Sequence, residues 1–529
     1  MWYNPAVIHE SPLAPITIPA VPLSEFVLAN AERLGDKPAL IDGLSGRELT
    51  YGDLRAQVYS VAGGLAARGF GPGSVLALMA PNMPEYAVVF HGVAVAGGAI
   101  TTINPTYTEH EVHHQLHDAG ATLLVTVEAF LPVARAAAEG TGVTDIFVIA
   151  TADDGSTSIE TSEGTSLFGT PLDAQVPVEL DDVVALPYSS GTTGLSKGVM
   201  LTHRNLVSNI VQVVVPAEMS DDEVVCAVLP FFHIYGMQIL MNCSLAVGAT
   251  VVTMPRFDLE PFLQLHERYR ITRSFVAPPI VVALAKHPAV DDYDLSSVEQ
   301  FFSGAAPLSA ELALEAGARL GCEVVQGYGM TELSPVTHLT PRGRFKPGSA
   351  GITVPATELQ IVDPSTGESL GLDVDGEVWV RGPQVMRGYL NNPEATAATI
   401  DADGWLHTGD IGHVDADGHL YVVDRLKELI KYNGFQVPPA ELEAILLTHP
   451  AVADSAVIGL PDPSAGEIPV GYVVLKPGAT ATADDIQTFV AEQVATYKQI
   501  RQVHVIDAIP KSASGKILRR VLRDAAQGA

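Results

Sequence analysis

An apolar run, Val183-Val184-Ala185-Leu186, gives way after Pro187 to Tyr188-Ser189-Ser190-Gly191-Thr192-Thr193-Gly194-Leu195-Ser196-Lys197-Gly198. This junction constrains the fold more than any other stretch of the chain. Its glycines let the backbone turn sharply and approach a ligand, while the hydroxyls and Lys197 supply donors to anionic oxygens, so the segment reads as a polyphosphate cradle. The spacing is not that of the Walker A loop, in which a second glycine follows the first by five residues, because that position is Ser196. A P-loop nucleotidase fold is therefore disfavoured, although a flexible Ser/Gly/Thr surface loop shares the same composition.

At 529 residues the chain exceeds one ordinary core, and the length suggests roughly two to four domains. Hydrophobic residues make up 47% and charged residues 17%, which excludes disorder and suits a globular enzyme. The formal charge of -31 argues against nucleic acid as a partner. It does not exclude an anionic small molecule, since a ligand responds to the local lysines and arginines. Cys226, Cys243 and Cys322 have no paired spacing of the kind that builds zinc or redox sites. The opening MWYNPAVIHESPLAP lacks a basic segment followed by an apolar core, no apolar run reaches the roughly 18 residues of a membrane span, and the ending carries no peroxisomal address. The expectation is a cytoplasmic protein with no transmembrane segment, monomeric or homodimeric.

Val/Ala/Ile-rich runs alternate with amphipathic ones, as in residues 74–79, 84–96 and 122–127, which is an α/β pattern. Residues 151–170 are polar and Gly/Ser-rich and read as an exposed connection before the phosphate segment. A major boundary is expected at Asp424-Arg425-Leu426-Lys427. Beyond it, strand-like runs at 456–460 and 470–475 and helical runs at 440–447 and 483–494 suffice for a small α+β domain.

Five further segments stand in order along the chain. They are Gly327-Tyr328-Gly329-Met330-Thr331-Glu332, Gly376-Glu377-Val378-Trp379-Val380-Arg381-Gly382, Trp405-Leu406-His407-Thr408-Gly409-Asp410, the run Asp424 to Val437, and Pro510-Lys511-Ser512-Ala513-Ser514-Gly515-Lys516. With the phosphate segment, this order and spacing resemble the adenylate-forming superfamily of acyl-CoA synthetases, adenylation domains and luciferases over almost the whole chain. Phe232-His233-Ile234-Tyr235 and Ala277-Pro278-Pro279-Ile280-Val281 bring it nearest to 4-coumarate:CoA ligases and their bacterial relatives. The resemblance implies an α/β fold with a large multi-subdomain N-terminal region, residues 1–424, a hinge at 425–427, and a smaller mobile α+β lid at 428–529. It also implies ATP, Mg²⁺ and CoA as cosubstrates and cofactor, with a small carboxylic acid as the partner.

Residue by residue, the resemblance implies the following. Ser189, Ser190, Gly191, Thr192, Thr193, Gly194 and Lys197 hold the β- and γ-phosphates. Thr331 contacts the α-phosphate and Glu332 binds Mg²⁺, a hard cation suited to one carboxylate plus phosphate oxygens. Tyr328 stacks on adenine in a pocket with Ala305, Gln326 and Gly327, while Asp410 and Arg425 grip the ribose. Lys516 bridges the substrate carboxylate and the α-phosphate. His233 gates the carboxylate pocket, and Tyr235, Phe302, Gly304, Ala305, Pro335 and Val336 line the acyl channel. Lys427, Lys431 and Gln436 approach the adenylate or the thiol in one lid state or the other, and Arg256, Asn433 and Gly434 face CoA.

Three departures from the family pattern matter. Ser196 stands where proline usually precedes the lysine, and Asn433 stands where a lysine is common. Phe302 occupies the position where plant coumarate ligases commonly place a lysine, so a more apolar acid than coumarate is expected, cinnamate-like, benzoate-like or medium-chain aliphatic. Carrier-protein loading and luciferase-like oxidation remain open as alternative fates of the adenylate. Finally, His110-Glu111-Val112-His113-His114 formally matches the zinc signature H-E-x-x-H, but it sits in a polar amphipathic stretch ending at Gly120 with no clear third ligand.

Overall fold

The computed structural model describes residues 7–152, 154–189, 196–433, 435–512 and 515–527. Two largely parallel sheets carry the N-terminal part. In one, Val75–Met79 lies between Ala99–Thr102 and Leu123–Val127, and the sheet continues through Asp145–Thr151 on one side and Val183–Ala185 and Lys197–Thr202 on the other. The other runs, in spatial order, Glu323–Gln326, Gln300–Ser303, Arg273–Val276, Val224–Ala227, Thr250–Thr253 and Pro38–Asp42, all parallel. The β-rich apolar runs form these strands because both faces are covered, which favours near-continuous apolar sequence over alternation. Helix Pro84–Val95, opened by its proline, is buried along its whole length and belongs to the one core cluster that joins residues of both sheets.

Residues 151–170 depart from the expected open connection. Thr157–Glu160 forms an antiparallel hairpin with Asp145–Thr151, because Ile159 and Leu167 are apolar side chains that the core takes up completely. The histidine-rich stretch is helix Glu109–Ala119, started by a capping box between Thr108 and Glu111 and stopped by left-handed Gly120. Among the described residues, no group of three or more His, Cys, Asp or Glu side chains is arranged to hold a metal ion. His113 Nδ1 instead lies 2.9 Å from the Ala137 carbonyl.

An antiparallel sheet, Glu358–Val362, Gly376–Arg381, Leu406–Val414 and Leu420–Arg425, completes the N-terminal part. Its last strand ends at Arg425, and the next strand, Ile430–Tyr432, already belongs to a separate sheet with Phe435–Val437, Gly466–Leu475, Val452–Asp462 and Gln502–Val505. That sheet packs on helices Pro439–Thr448 and Ala483–Ala491 around a core of its own. Asp424 closes the junction, its buried carboxylate accepting from Arg425 N at 2.7 Å and from Ala440 N at 2.8 Å. No helix among the described residues is long and apolar enough to cross a membrane.

Candidate active site

Open parallel sheets bind ligands beyond the carboxyl ends of their strands. Strands Gln300–Ser303 and Glu323–Gln326 are neighbours, and the turns that leave them meet where Gly327 N donates to Ser303 O at 3.1 Å. Ala305, exposed and left-handed at φ 74°, lies on the first turn. Gln326 is buried, and its side-chain oxygen accepts from Leu308 N at 2.8 Å, so the amide braces this turn from beneath. Tyr328 comes next and donates its hydroxyl to Asp410 Oδ2 at 2.6 Å. Asp410 Oδ1 lies 3.0 Å from Arg425 Nε, the two residues being cross-strand partners. Burial and the Asp410 charge push the Tyr328 phenol well above its ordinary range, and Asp410 raises the Arg425 guanidinium in turn. Both groups therefore keep their protons.

Beyond Gly329 the chain makes a short 3₁₀ turn, Thr331–Leu333, leaves it through left-handed Ser334 and enters Pro335 by a cis peptide bond. The turn keeps Thr331 half-buried and sends Glu332 inward, to 5% exposure. Glu332 Oε1 accepts from the Tyr389 hydroxyl at 2.8 Å. Among the described residues, no Lys, Arg or His forms an ion pair with it. Lys197 opens strand Lys197–Thr202, in register with Ser189, and holds its ammonium 4.3 Å from the centre of the Tyr389 ring. Ser190, Gly191, Thr192, Thr193 and Gly194 lie outside the described residues. Tyr389 went unassigned in the sequence because nothing in Gly388-Tyr389 separates it from an ordinary core tyrosine.

His233 is half-buried, and its Nδ1 accepts from Tyr235 N at 3.2 Å. Burial and the neighbouring Lys516 charge push the imidazolium down to about 4, so the ring is neutral near pH 7. Tyr235 starts a π-helical segment, Tyr235–Cys243, and donates to Phe302 O at 3.3 Å. Its ring lies against Gly304, where an added Cβ would meet Tyr235 Cε1 at 2.8 Å. Phe302 is buried, stacked on Phe275 at 5.2 Å between centroids, with the Arg273 guanidinium 5.6 Å from its ring. Val336 is clamped through its backbone by Asn209, which accepts from Val336 N at 3.2 Å and donates to its carbonyl at 2.7 Å.

The segment at the far end of the chain closes the group. Gly515, at φ 83°, approaches so closely that an added Cβ would stand 3.1 Å from Ala277 Cβ and 3.4 Å from Pro279 Cδ. Lys516 follows, half-buried beside Arg425, Asp410, Glu428 and His233, and desolvation together with the Arg425 charge lowers its ammonium to about 8. Lys427, Lys431, Asn433 and Gln436 are all exposed, the last three on or beside the hairpin in which Lys431 faces Gln436. Arg256 is likewise exposed, and Gly434 lies outside the described residues. One lysine of the C-terminal part thus joins Tyr328, Asp410 and His233, whereas Lys427, Lys431, Asn433 and Gln436 remain on the surface.

The family models for the AMP-binding enzyme and for the AMP-binding enzyme C-terminal domain match residues 27–390 and 441–516. The chain belongs to the AMP-binding enzyme family. It is 46% identical to 4-coumarate–CoA ligase 3 of Oryza sativa subsp. japonica over 98% of this chain and 94% of that one. Among solved structures it is similar to the anthranilate CoA ligase AuaEII in complex with anthranoyl-AMP, with a TM-score of 0.89 and 27% identity over 97% of this chain and 98% of that one. ATP-bound MatB from Rhodopseudomonas palustris gives a TM-score of 0.85 and 30% identity over 96% of this chain and 99% of the other.

Proposed function

We infer that the chain is an ATP-dependent, AMP-forming carboxylic acid:CoA ligase acting on an apolar aryl acid. The substrate carboxylate oxygen attacks the α-phosphorus of ATP, pyrophosphate leaves, and an acyl-AMP mixed anhydride remains. The CoA sulfur then attacks the acyl carbonyl and AMP leaves. Both curated relatives and structural neighbours named as CoA ligases favour a free CoA acceptor over a carrier protein or oxygen.

The observation that carries this reading is the half-buried Lys516 ammonium beside the Tyr328–Asp410–Arg425 group and neutral His233. The first step brings anion against anion. A unit charge about 4 Å away at an effective dielectric of 20 is worth roughly 4 kcal/mol, or about a thousandfold in rate. Lys516 supplies that charge to the carboxylate and α-phosphate. The neutral ring of His233 shapes the entrance without adding a second cation. Asp410 and Arg425 take the ribose, Tyr328 the adenine, and Ser189 and Lys197 the outer phosphates.

Mg²⁺ suits Glu332, because a buried carboxylate with a hydroxyl partner and, among the described residues, no ion pair has charge left to satisfy. When bound beside ATP, the ion neutralises phosphate charge. Residues 425–427 serve as the hinge on which the C-terminal domain turns between the two half-reactions, exchanging Lys516 for the Lys431–Gln436 hairpin. At the pocket end, Phe302 offers no donor to a para-hydroxyl, and an unpartnered buried hydroxyl costs about 1–3 kcal/mol. Steady-state rates on matched aryl acids test this. Cinnamate should equal or exceed coumarate in kcat/KM, and a tenfold preference for coumarate would refute the pocket assignment.

A further inference from the structure

Residues 383–390 run as a strap between the strand that carries Lys197 and the turn that carries Glu332. Met386 N donates to the Glu332 carbonyl at 2.9 Å, Arg387 N to Met200 O at 3.0 Å and Leu390 N to Gly198 O at 2.8 Å. Gly388 and Tyr389 pair antiparallel with Met200 and Val199. Asn205 donates to the carbonyls of Pro383 and Val385 at 2.9 and 2.8 Å and so anchors the start of the strap. The outcome of this lacing is that one side chain, Tyr389, touches two groups of opposite charge. Its hydroxyl donates to Glu332 Oε1 at 2.8 Å, and its ring face carries the Lys197 ammonium at 4.3 Å.

We propose that Tyr389 is a positioning residue for adenylation. Its hydroxyl fixes one oxygen of Glu332 so that the other faces the nucleotide-bound metal, and its ring holds Lys197 at the phosphates. The inference rests on the reading of Glu332 as the metal carboxylate. The physical grounds are separate for the two halves of the side chain. An acceptor held at one oxygen loses rotational freedom about its terminal torsion, so the second oxygen is presented in one orientation, and groups of this outer kind typically change metal affinity about 10- to 100-fold when removed. An ammonium resting on an aromatic face is held by the ring quadrupole and keeps its long side chain in one place before the anion arrives.

The two halves can be removed one at a time. Tyr389→Phe deletes the hydroxyl and keeps the ring, while Tyr389→Leu deletes both. Binding of Mn²⁺ to the full-length enzyme with α,β-methylene-ATP, read by electron paramagnetic resonance, reports the metal without turnover. Metal-free binding of the same nucleotide in EDTA, by calorimetry, reports the Lys197 side. Tyr389→Phe should weaken Mn²⁺ about tenfold or more and leave metal-free nucleotide binding unchanged, and Tyr389→Leu should weaken both. A merely structural tyrosine would lower the melting temperature without this split. If Tyr389→Phe binds Mn²⁺ as tightly as the unaltered enzyme while Glu332→Gln loses it, the proposal falls and the metal reading stands. If Glu332→Gln also binds Mn²⁺ normally, the metal reading falls and takes the proposal with it.

Discussion

Lys516 is held beside Arg425 and Asp410 with an ammonium lowered from the usual 10.5 to about 8, burial being the larger cause. In the unfolded chain it returns to the ordinary value. Between the two the unfolded state binds more protons, so the burial penalty is fully present below about pH 8 and is relieved as pH rises toward 10.5. In the role proposed for Lys516 catalysis runs the other way, since the ammonium and not the neutral amine can neutralise the carboxylate and α-phosphate. Pyrophosphate release should therefore fall as pH passes through about 8 in the free enzyme, with no such inflection for thioester formation from supplied acyl-AMP. His233, neutral above about 4, should add no inflection near 6.5. Rapid-quench pH profiles of each half-reaction check both statements. Lys516→Ala should lower adenylation by about three orders of magnitude and spare the thioester step; equal loss in both would remove Lys516 from its assigned role.

At the scale of elements, the hairpin Tyr328–Gly329 and Val336–Leu339 sets the site, because it presents Tyr328, Thr331, Glu332 and Val336 from one turn. Its strands approach so closely at Gly329 that an added Cβ would lie 2.0 Å from the Pro335 carbonyl oxygen. Gly329→Ala should cost about 3 kcal/mol and lower ATP affinity as well, measurable by denaturant unfolding and nucleotide titration; an unchanged midpoint would contradict this packing. The glycines and the Thr-Glu pair announced this turn in the sequence. The same was true of the parallel sheets, whose apolar runs read as strands, and of helix Glu109–Ala119, whose capping box and Gly120 are local signals. What the sequence did not announce depends on contacts distant along the chain. Asn209 reaches Val336, Tyr389 reaches Glu332 and the Gln326 side chain accepts from Leu308 N. The π-helical segment at Tyr235 was equally hidden, since its residues suit an ordinary buried helix. Thr157–Glu160 was masked by polar neighbours around a single buried isoleucine.

Across the whole molecule, the proposed role of Lys516 requires the C-terminal segment to lie on the N-terminal part, and Gly515 approaches that part at Ala277 and Pro279. The left-handed φ and the tight approach both disfavour a side chain there. Gly515→Val should thus hold Lys516 away from the α-phosphate and reduce adenylation about a hundredfold, with little change in thioester formation from supplied acyl-AMP or in melting temperature. Stopped-flow pyrophosphate release and a thioester assay separate the two, and an equal loss in both steps would point to misfolding instead of misplacement. The family membership and the similarity to 4-coumarate–CoA ligases support one two-step reaction. The most direct test supplies purified enzyme with ATP, Mg²⁺ and either cinnamate or coumarate, with and without CoA, and identifies the products by mass. The account predicts pyrophosphate and enzyme-bound acyl-AMP without CoA, and AMP with cinnamoyl-CoA once CoA is added. Pyrophosphate release with no CoA thioester from any aryl acid would contradict it.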